Sequence, residues 1–437
     1  MCSVLALGVC SSLPQLACAG SDGAASDAGS GVAVHGDGGL HNPAPDGSSP
    51  NPSADSGAAS SGTDAGMPGS LADTSGPNPA ADGSAGGPTL DATTPGQAAD
   101  ARAVGSDGGY PTGWLFTKGN KMYISDGTPA GKPWMGRGVN IDDIFFCGYN
   151  NTLWMTAPDQ TLQTVISGLV SGWKPTFVRI SLAMNSYGTV SSWLSNPSQY
   201  KTPMTNVINA LGANANVHVL VTLRSDASMI LQDTVDGDPE ATGIPSDSTT
   251  TPSATSYPTG TDATYVALVD TFANTNFVMF GLTNEPGGNK RSNATIAAAM
   301  NHAVGVIRAE EDRLHVPHHV VSVQGNGWTS DISFYAATPP LITYDNVVYE
   351  VHGYPPAASS YAYSNIPVII GEYGSLTSST SAAFYADLEA KQIPNLAWDF
   401  DSYSNCSPDL LNVNQSATNL MPTAWGSIVQ SYLLAHP

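Results

Sequence analysis

The sequence predicts a (β/α)8 (TIM) barrel, an α/β fold, placed behind a signal segment and a long polar linker. Three observations predict it. Eight apolar, β-branched runs recur from Trp134 onward, helical stretches separate them, and polar or charged residues gather where the runs end. The runs are mostly continuous rather than alternating, as strands buried on both faces of a parallel sheet require. Eight strand–helix units match a closed barrel with insertions. A doubly wound open sheet is the competing arrangement. It usually carries fewer strands and a phosphate loop, and neither GxxxxGK[ST] nor GxGxxG occurs here.

In chain order the expected strands are Trp134–Ile141, Thr176–Ala183, Val217–Arg224, Phe277–Asn284, His319–Gln324, Val347–Val351, Pro367–Glu372 and Asn395–Phe400. Helical patterns are clearest at Leu162–Val170, Asp262–Ala273, Ser292–Glu311, Ser381–Lys391 and Ala424–Ala435. Between Gln232 and Thr261 lies a polar Pro/Ser/Thr stretch long enough to be functional or disordered. Following the third strand, it is expected to overhang the mouth as a subsite wall or lid.

Ahead of the barrel, residues 20–109 are almost entirely Gly, Ala, Ser, Asp, Pro, Thr and Asn, and all aromatic residues lie at Tyr110 or later. Such a segment buries too little apolar surface to offset its ordering entropy, so a flexible linker is expected. Asp recurs every nine residues from Asp37 to Asp100. A calcium-binding β-roll needs a large apolar residue two positions after each Asp, and Gly, Ser, Thr or Arg stands there instead. Residues 1–19 read as an export segment: an apolar run at Val4–Val9, then Ala17-Cys18-Ala19 as a small-residue cleavage site. Leu16-Ala17-Cys18 also resembles a lipoprotein box, which would place a lipid on Cys18. No Lys or Arg precedes the apolar run. The expected location is therefore extracellular, secreted or tethered at the cell surface.

Net charge narrows the function classes. With 14 Lys+Arg against 36 Asp+Glu the chain carries −22, which excludes phosphate-backbone binding, and hence nucleic acid, as the main activity.

The strand ends carry the chemistry, since catalytic residues of such barrels sit at the C-terminal ends of strands. Arg179 lies near the end of the second run, Asn284-Glu285-Pro286 closes the fourth, and Gln324 to Trp328 the fifth. Glu350-Val351-His352-Gly353-Tyr354 closes the sixth, Gly371-Glu372-Tyr373-Gly374 the seventh, and Trp398, Asp399 and Asp401 follow the eighth. Glu285 and Glu372 would therefore face each other across the mouth. Retaining glycosidases need two carboxyls about 5–5.5 Å apart, one as nucleophile and one as acid/base. An ionised nucleophile wants donors such as Arg and Tyr, whereas a neighbouring charge can raise the pKa of the acid. A rim Trp offers a flat face to a sugar ring.

Taken together, Asn284-Glu285-Pro286, Arg179, His352-Gly353-Tyr354, Gly371-Glu372-Tyr373-Gly374 and Trp398 make the region from Trp114 to the C-terminus resemble glycoside hydrolase family 5, the cellulase and β-mannanase family of clan A. The resemblance implies Glu372 as nucleophile, Glu285 as general acid/base and Asn284 on the sugar 2-hydroxyl. Arg179 and Tyr354 would hold Glu372, His352 would line the subsite beside the acid/base, and Trp398 would form the platform beneath the cleaved sugar. It implies no cofactor and no metal, and β-linked polysaccharide or oligosaccharide as partner. The function expected is an extracellular retaining endo-β-1,4-glycanase of endoglucanase type. A β-mannanase, another clan A β-glycosidase and a non-catalytic carbohydrate-binding surface protein are the alternatives. One departure stands out: many members carry a His at the third strand end, where this chain has Thr222-Leu223-Arg224-Ser225-Asp226. His218 lies at that strand's start, too deep to substitute, so Arg224 or Asp226 would take the role or the subsite differs.

Other residues receive plainer expectations. Cys147 follows the first strand and Cys406 the eighth, neighbours where a barrel closes, and an exported protein would oxidise such a pair to a disulfide. Trp328, like Trp154 and Trp134, is a candidate for an outer subsite or for packing. Asp142, Asp143 and Asp401 are expected as solvated loop acids. His315, His318 and His319 fall on a helix-to-strand connection, on the face opposite catalysis, and no function is expected of them. A monomer is expected.

Overall fold

The computed structural model describes residues 109–141, 158–183, 193–194, 198, 200–214, 216–224, 259–286, 292–401, 408–412 and 420–437. The chain divides into two units, Met1–Leu90 and Asp91–Pro437, and all described residues lie in the second. Cys147, Cys406, Asp142, Asp143, Trp154, Asp226 and nearly all of the Gln232–Thr261 stretch, like Cys18 and the linker, lie outside the described residues. So does the side chain of Arg224.

Eight parallel strands close into a barrel. They are β4 (Arg137–Ile141), β5 (Phe177–Ala183), β6 (His218–Arg224), β7 (Val278–Gly281), β8 (Val321–Gln324), β9 (Val347–His352), β10 (Val368–Tyr373) and β11 (Asn395–Ala397). Neighbours pair in sequence order, and β11 returns to β4 to close the ring. Helices Pro158–Trp173, Lys201–Gly212, Thr259–Phe272, Asn293–Leu314, Ser378–Lys391 and Ala424–Ala435 connect or follow the strands. The long helix Asn293–Leu314 starts where Ser292 Oγ accepts from the Thr295 amide at 3.1 Å, the usual way a hydroxyl satisfies an orphan N–H.

Side chains along a strand alternate between two faces, and this sorts the core into two clusters. One face packs outward on the helices, through residues such as Val178, Ile180, Val219, Val221, Phe280 and Ile370. The other fills the barrel floor with Phe177, Leu220, Met279, Val320, Val348, Ile369 and Leu396. Against that floor lies a small antiparallel sheet that the sequence reading did not anticipate: β1 (Leu115–Lys118), β2 (Lys121–Ile124) and β3 (Lys132–Pro133). Leu115 and Met122 of this sheet, with Trp134 after it, join the floor cluster. The first barrel strand accordingly begins at Arg137, not Trp134, and Trp134 packs on Phe177 and His218 at the end opposite the mouth. This removes it from the subsite candidates.

Three other expectations change. The helix Lys201–Gly212 was not foreseen. The last residues of the expected overhanging stretch, from Thr259, belong to a helix. Asp401 is buried at 2 % exposure and is not a solvated loop acid; it packs beside Asp399 and Asp409, with carboxylate oxygens within 4.8 Å.

His218 sits on the floor with its ring nitrogen 3.5 Å from the Gly113 carbonyl. Burial pulls its pKa down to about 4, so it is a neutral packing residue. His318 contacts Asp345 and Asp312, and His319 is held by Glu311. The candidate metal-ligand clusters among the described residues include none of these histidines.

Candidate active site

Above the apolar floor the same inward alternation continues with polar groups. Arg179 on β5, Ser322 on β8 and Glu350 on β9 follow Phe177, Val320 and Val348 by two residues, and all three are fully buried. Two residues further, Gln324 and His352 point into the mouth, joined by Asn284 and Glu285 just past β7. Glu372 reaches the same place by a break in the alternation. The pairing of β10 with β9 and with β11 shifts register after Ile370, so Ile369 and Glu372, three residues apart, both face the barrel axis while Tyr373 packs outward.

Arg179 organises this layer. Its Nη1 donates to Glu372 Oε1 at 2.9 Å and to Asn140 Oδ1 at 3.0 Å, and its Nη2 donates to Asn284 Oδ1. Its Nε stands 3.1 Å from Glu350 Oε1, an ion-pair distance without hydrogen-bond alignment. Glu372 receives a second donor, the Tyr354 hydroxyl, at 2.7 Å on Oε2. Desolvation first, then the charges of Glu372 and Glu285, push the Tyr354 phenol well above its usual pKa, so it remains a donor.

Glu285 has a different environment. Its side chain keeps 19 % exposure against 4 % for Glu372, so it opens to the cleft. Its backbone is left-handed, φ 45°, a conformation that costs a non-glycine residue about 1–3 kcal/mol and concentrates at functional sites. Gln324 Oε1 accepts the Glu285 amide at 3.2 Å and the Thr329 hydroxyl at 2.6 Å, which ties this turn to β8. Glu285 Oε1 lies 2.8 Å from His352 Nδ1. The other ring nitrogen, Nε2, lies 2.9 Å from Glu350 Oε1.

Desolvation pulls the His352 imidazolium pKa down. The Glu372 charge and the contacts to Glu285 and Glu350 outweigh it, and the result is about 9. Burial likewise opposes ionisation of Glu350, but Arg179, His352 and the Ser322 hydroxyl (2.6 Å) hold its carboxyl at about 2. One oxygen of Glu285, one of Glu372 and a nitrogen of His352 all lie within 4.8 Å of one another.

The structure thus brings Arg179, Asn284, Glu285, His352, Tyr354 and Glu372 into one constellation. Trp398 follows β11 and is buried at 6 % exposure, its carbonyl fixed by the Trp425 indole at 3.0 Å. Trp328, 41 % exposed in the left-handed turn within Asn326–Thr329 after β8, stands at the mouth end but makes no described contact with the carboxylates. Three residues that the sequence places at strand ends without a role also belong here: Asn140, which bridges Arg179 to the Gly371 carbonyl at 2.9 Å, Gln324 and Glu350.

Comparison with known proteins gives this geometry its family. The sequence model described as "Cellulase (glycosyl hydrolase family 5)" matches residues 138–404, a span that runs from β4 to past β11 and holds every residue of the constellation. The chain belongs to glycoside hydrolase family 5. As a family 5 enzyme of the cellulase and mannanase group it is a glycosidase. Solved structures share the fold at low identity. A protein from Cytophaga hutchinsonii matches with TM-score 0.54 at 18 % identity, over 74 % of this chain and 95 % of its own. A cellulase, Cel5C_n, gives 0.53 at 17 %, over 75 % and 94 %. A β-glucanase from Saccharophagus degradans gives 0.53 at 17 %, over 77 % and 97 %. Among curated proteins none matches the chain.

Proposed function

We propose that this family 5 enzyme is a retaining, endo-acting β-1,4-glycanase that works outside the cell on a glucan-type polysaccharide. The observation that carries the reading is the pair Glu285 and Glu372, with oxygens within 4.8 Å across the mouth and with unlike surroundings. That spacing is nearer the about 5–5.5 Å of retaining pairs than the about 6.5–9.5 Å of inverting ones, and it supports covalent double displacement.

Glu372, fixed by Arg179 and Tyr354 on separate oxygens, is the nucleophile. It attacks the anomeric carbon while Glu285 gives its proton to the departing glycosidic oxygen. In the second step Glu285 takes a proton from water, which displaces Glu372 from the sugar. As charge leaves Glu372 during attack, the Tyr354 hydroxyl and Arg179 are released from it, and they recover it when the glycosyl–enzyme bond breaks. Asn284, locked by Arg179 with its amide NH2 left to donate, suits a sugar 2-hydroxyl. In this reading Trp398 serves as the platform beneath the cleaved sugar and Trp328 lines an outer subsite. No cofactor enters this chemistry.

Two of the fold neighbours are a cellulase and a β-glucanase, which favours glucan over mannan. The export-type segment, with Cys18 as a lipid acceptor, and the Gly/Ala/Ser/Asp/Pro segment 20–109 favour a secreted or surface-tethered enzyme held off the cell by its linker. Reducing-end release by the full chain on carboxymethylcellulose, mixed-linkage β-glucan, galactomannan, xylan and chitosan tests substrate and reaction together. Activity on a glucan that disappears in Glu372→Ala is expected. Turnover unchanged in that variant would remove the assignment, and activity confined to galactomannan would move the substrate to mannan.

A further inference from the structure

The catalytic pair does not account for Glu350. It is a third carboxylate, wholly buried at the barrel centre one layer beneath the mouth, and burying a charge there is unfavourable unless several partners compensate. Three do: Ser322 Oγ at 2.6 Å, His352 Nε2 at 2.9 Å and Arg179 Nε at 3.1 Å. Room has been made for it as well. A Cβ on Gly371 would collide with the Glu350 carboxyl, so the glycine of Gly371-Glu372-Tyr373-Gly374 is dictated by this side chain from the neighbouring strand.

Through Nε2, Glu350 touches the same imidazole whose Nδ1 touches Glu285. Glu372 of β10 lies 3.5 Å from Nδ1, Tyr354 and Arg179 bear on Glu372, and Ser322 of β8 bears on Glu350. None of these accepts a hydrogen bond from Nε2.

We propose that Glu350 is a positioning residue that fixes a proton on His352 Nε2, so that Nδ1 becomes the site that exchanges a proton with Glu285. A carboxylate behind one ring nitrogen decides the tautomer presented by the other. With Nε2–H committed to Glu350, Nδ1 has two states. Either it carries a hydrogen and donates to ionised Glu285, or it bears a lone pair and accepts from protonated Glu285. The Glu285–His352 pair therefore holds one mobile proton, shared between Oε1 and Nδ1. When the glycosidic C–O bond breaks, that proton leaves on the departing oxygen. Water attacking the glycosyl–Glu372 ester returns one to the pair. Protonation is balanced over the cycle, with Glu350 ionised throughout. The strongly cationic character of His352 and the anionic character of Glu350 accord with this arrangement.

The inference rests on Glu285 as acid/base, and its test separates the two. In the full chain, Glu350→Gln keeps shape and removes charge. It is compared with wild type on cellotetraose, whose leaving sugar needs protonation, and on 2,4-dinitrophenyl cellobioside, whose leaving group does not. The expected result is a loss of about 10–100-fold in kcat/KM on cellotetraose, the equivalent of a lost hydrogen bond to a charged group. The rate of glycosyl transfer from the aryl glycoside stays close to wild type, and the acidic and alkaline limbs of the pH profile move.

Equal loss on both substrates with an unmoved profile overturns the inference, since Glu350 would then act only through Arg179 on Glu372 or on the fold. If wild type cleaves neither substrate, the glycanase reading fails instead. Ring 15N shifts of His352 in wild type, assigned by comparison with His352→Gln, test the tautomer without turnover. The inference requires Nδ1 to lose its proton first on titration with Nε2–H retained. A neutral ring bearing Nδ1–H contradicts it.

Discussion

Raising the pH should loosen the protein through His352, and the size of the effect follows from its surroundings. The imidazolium is stabilised in the fold by Glu372, Glu285 and Glu350 against its burial, which lifts its pKa from 6.5 to about 9. At about 1.4 kcal/mol per unit this is about 3 kcal/mol of linked stability. A raised folded value means the contribution is fully present below pH 6.5 and is lost as pH rises through 9. In His352→Gln the contribution is missing at every pH. Urea denaturation followed by Trp fluorescence from about pH 6 to 10 reads the difference. Wild type should exceed the variant at pH 6, by up to that amount, and the gap should close as pH passes 9. His318, also raised by Asp345 and Asp312 against its burial, adds alkaline loss to both proteins and cancels in the comparison. Parallel curves for the two proteins across pH 6.5 to 9 would refute the reasoning.

The other expectations are more local. On the acid side, Glu350 is depressed from 4.5 to about 2, so the stability it contributes holds above pH 4.5 and is lost as pH falls through 2; acid unfolding of Glu350→Gln should lack this limb. Tyr354→Phe removes one donor from Glu372 and should lower kcat/KM by about 10–100-fold, the equivalent of a hydrogen bond to a charged group, with the melting temperature nearly unchanged. Gly371→Ala drives a methyl into the Glu350 carboxyl and should destabilise by about 1–3 kcal/mol, as overpacking does, measurable by denaturant midpoint. Trp134→Ala opens the barrel floor and should cost about 3–5 kcal/mol while leaving kcat of the folded fraction unaltered, because the floor lies opposite the mouth.

The sequence made the barrel and its acidic pair legible because both are local signals. Apolar runs mark strands buried on both faces, and Asn284-Glu285-Pro286 and Gly371-Glu372-Tyr373-Gly374 stand at strand ends. Elements missed were of two kinds. Some carried a signal that was passed over: Met204, Val207, Ile208 and Leu211 have helical spacing, and Pro203 falls in the first turn where proline is tolerated; Gly119-Asn120 between Leu115–Lys118 and Lys121–Ile124 is a two-residue hairpin turn. Others were not readable from one stretch of chain. Glu350 precedes His352 by two residues and shares its face, yet its role depends on Arg179 and Ser322 from other strands. The register shift after Ile370, which turns Glu372 inward, leaves no mark in the residues. Asp401 looked solvated because its burial comes from segments that meet only in the fold: its backbone pairs with Asp399 and Leu411 and its carboxylate lies beside Asp409.

The most direct test of the central claim is the anomeric configuration of the first product. Proton NMR during cleavage of a soluble β-1,4-glucan oligosaccharide by the full chain should show the β-anomer appearing first and the α-anomer rising later by mutarotation, as two successive displacements at Glu372 require. Initial appearance of the α-anomer would mean single displacement, and Glu372 would not be the nucleophile.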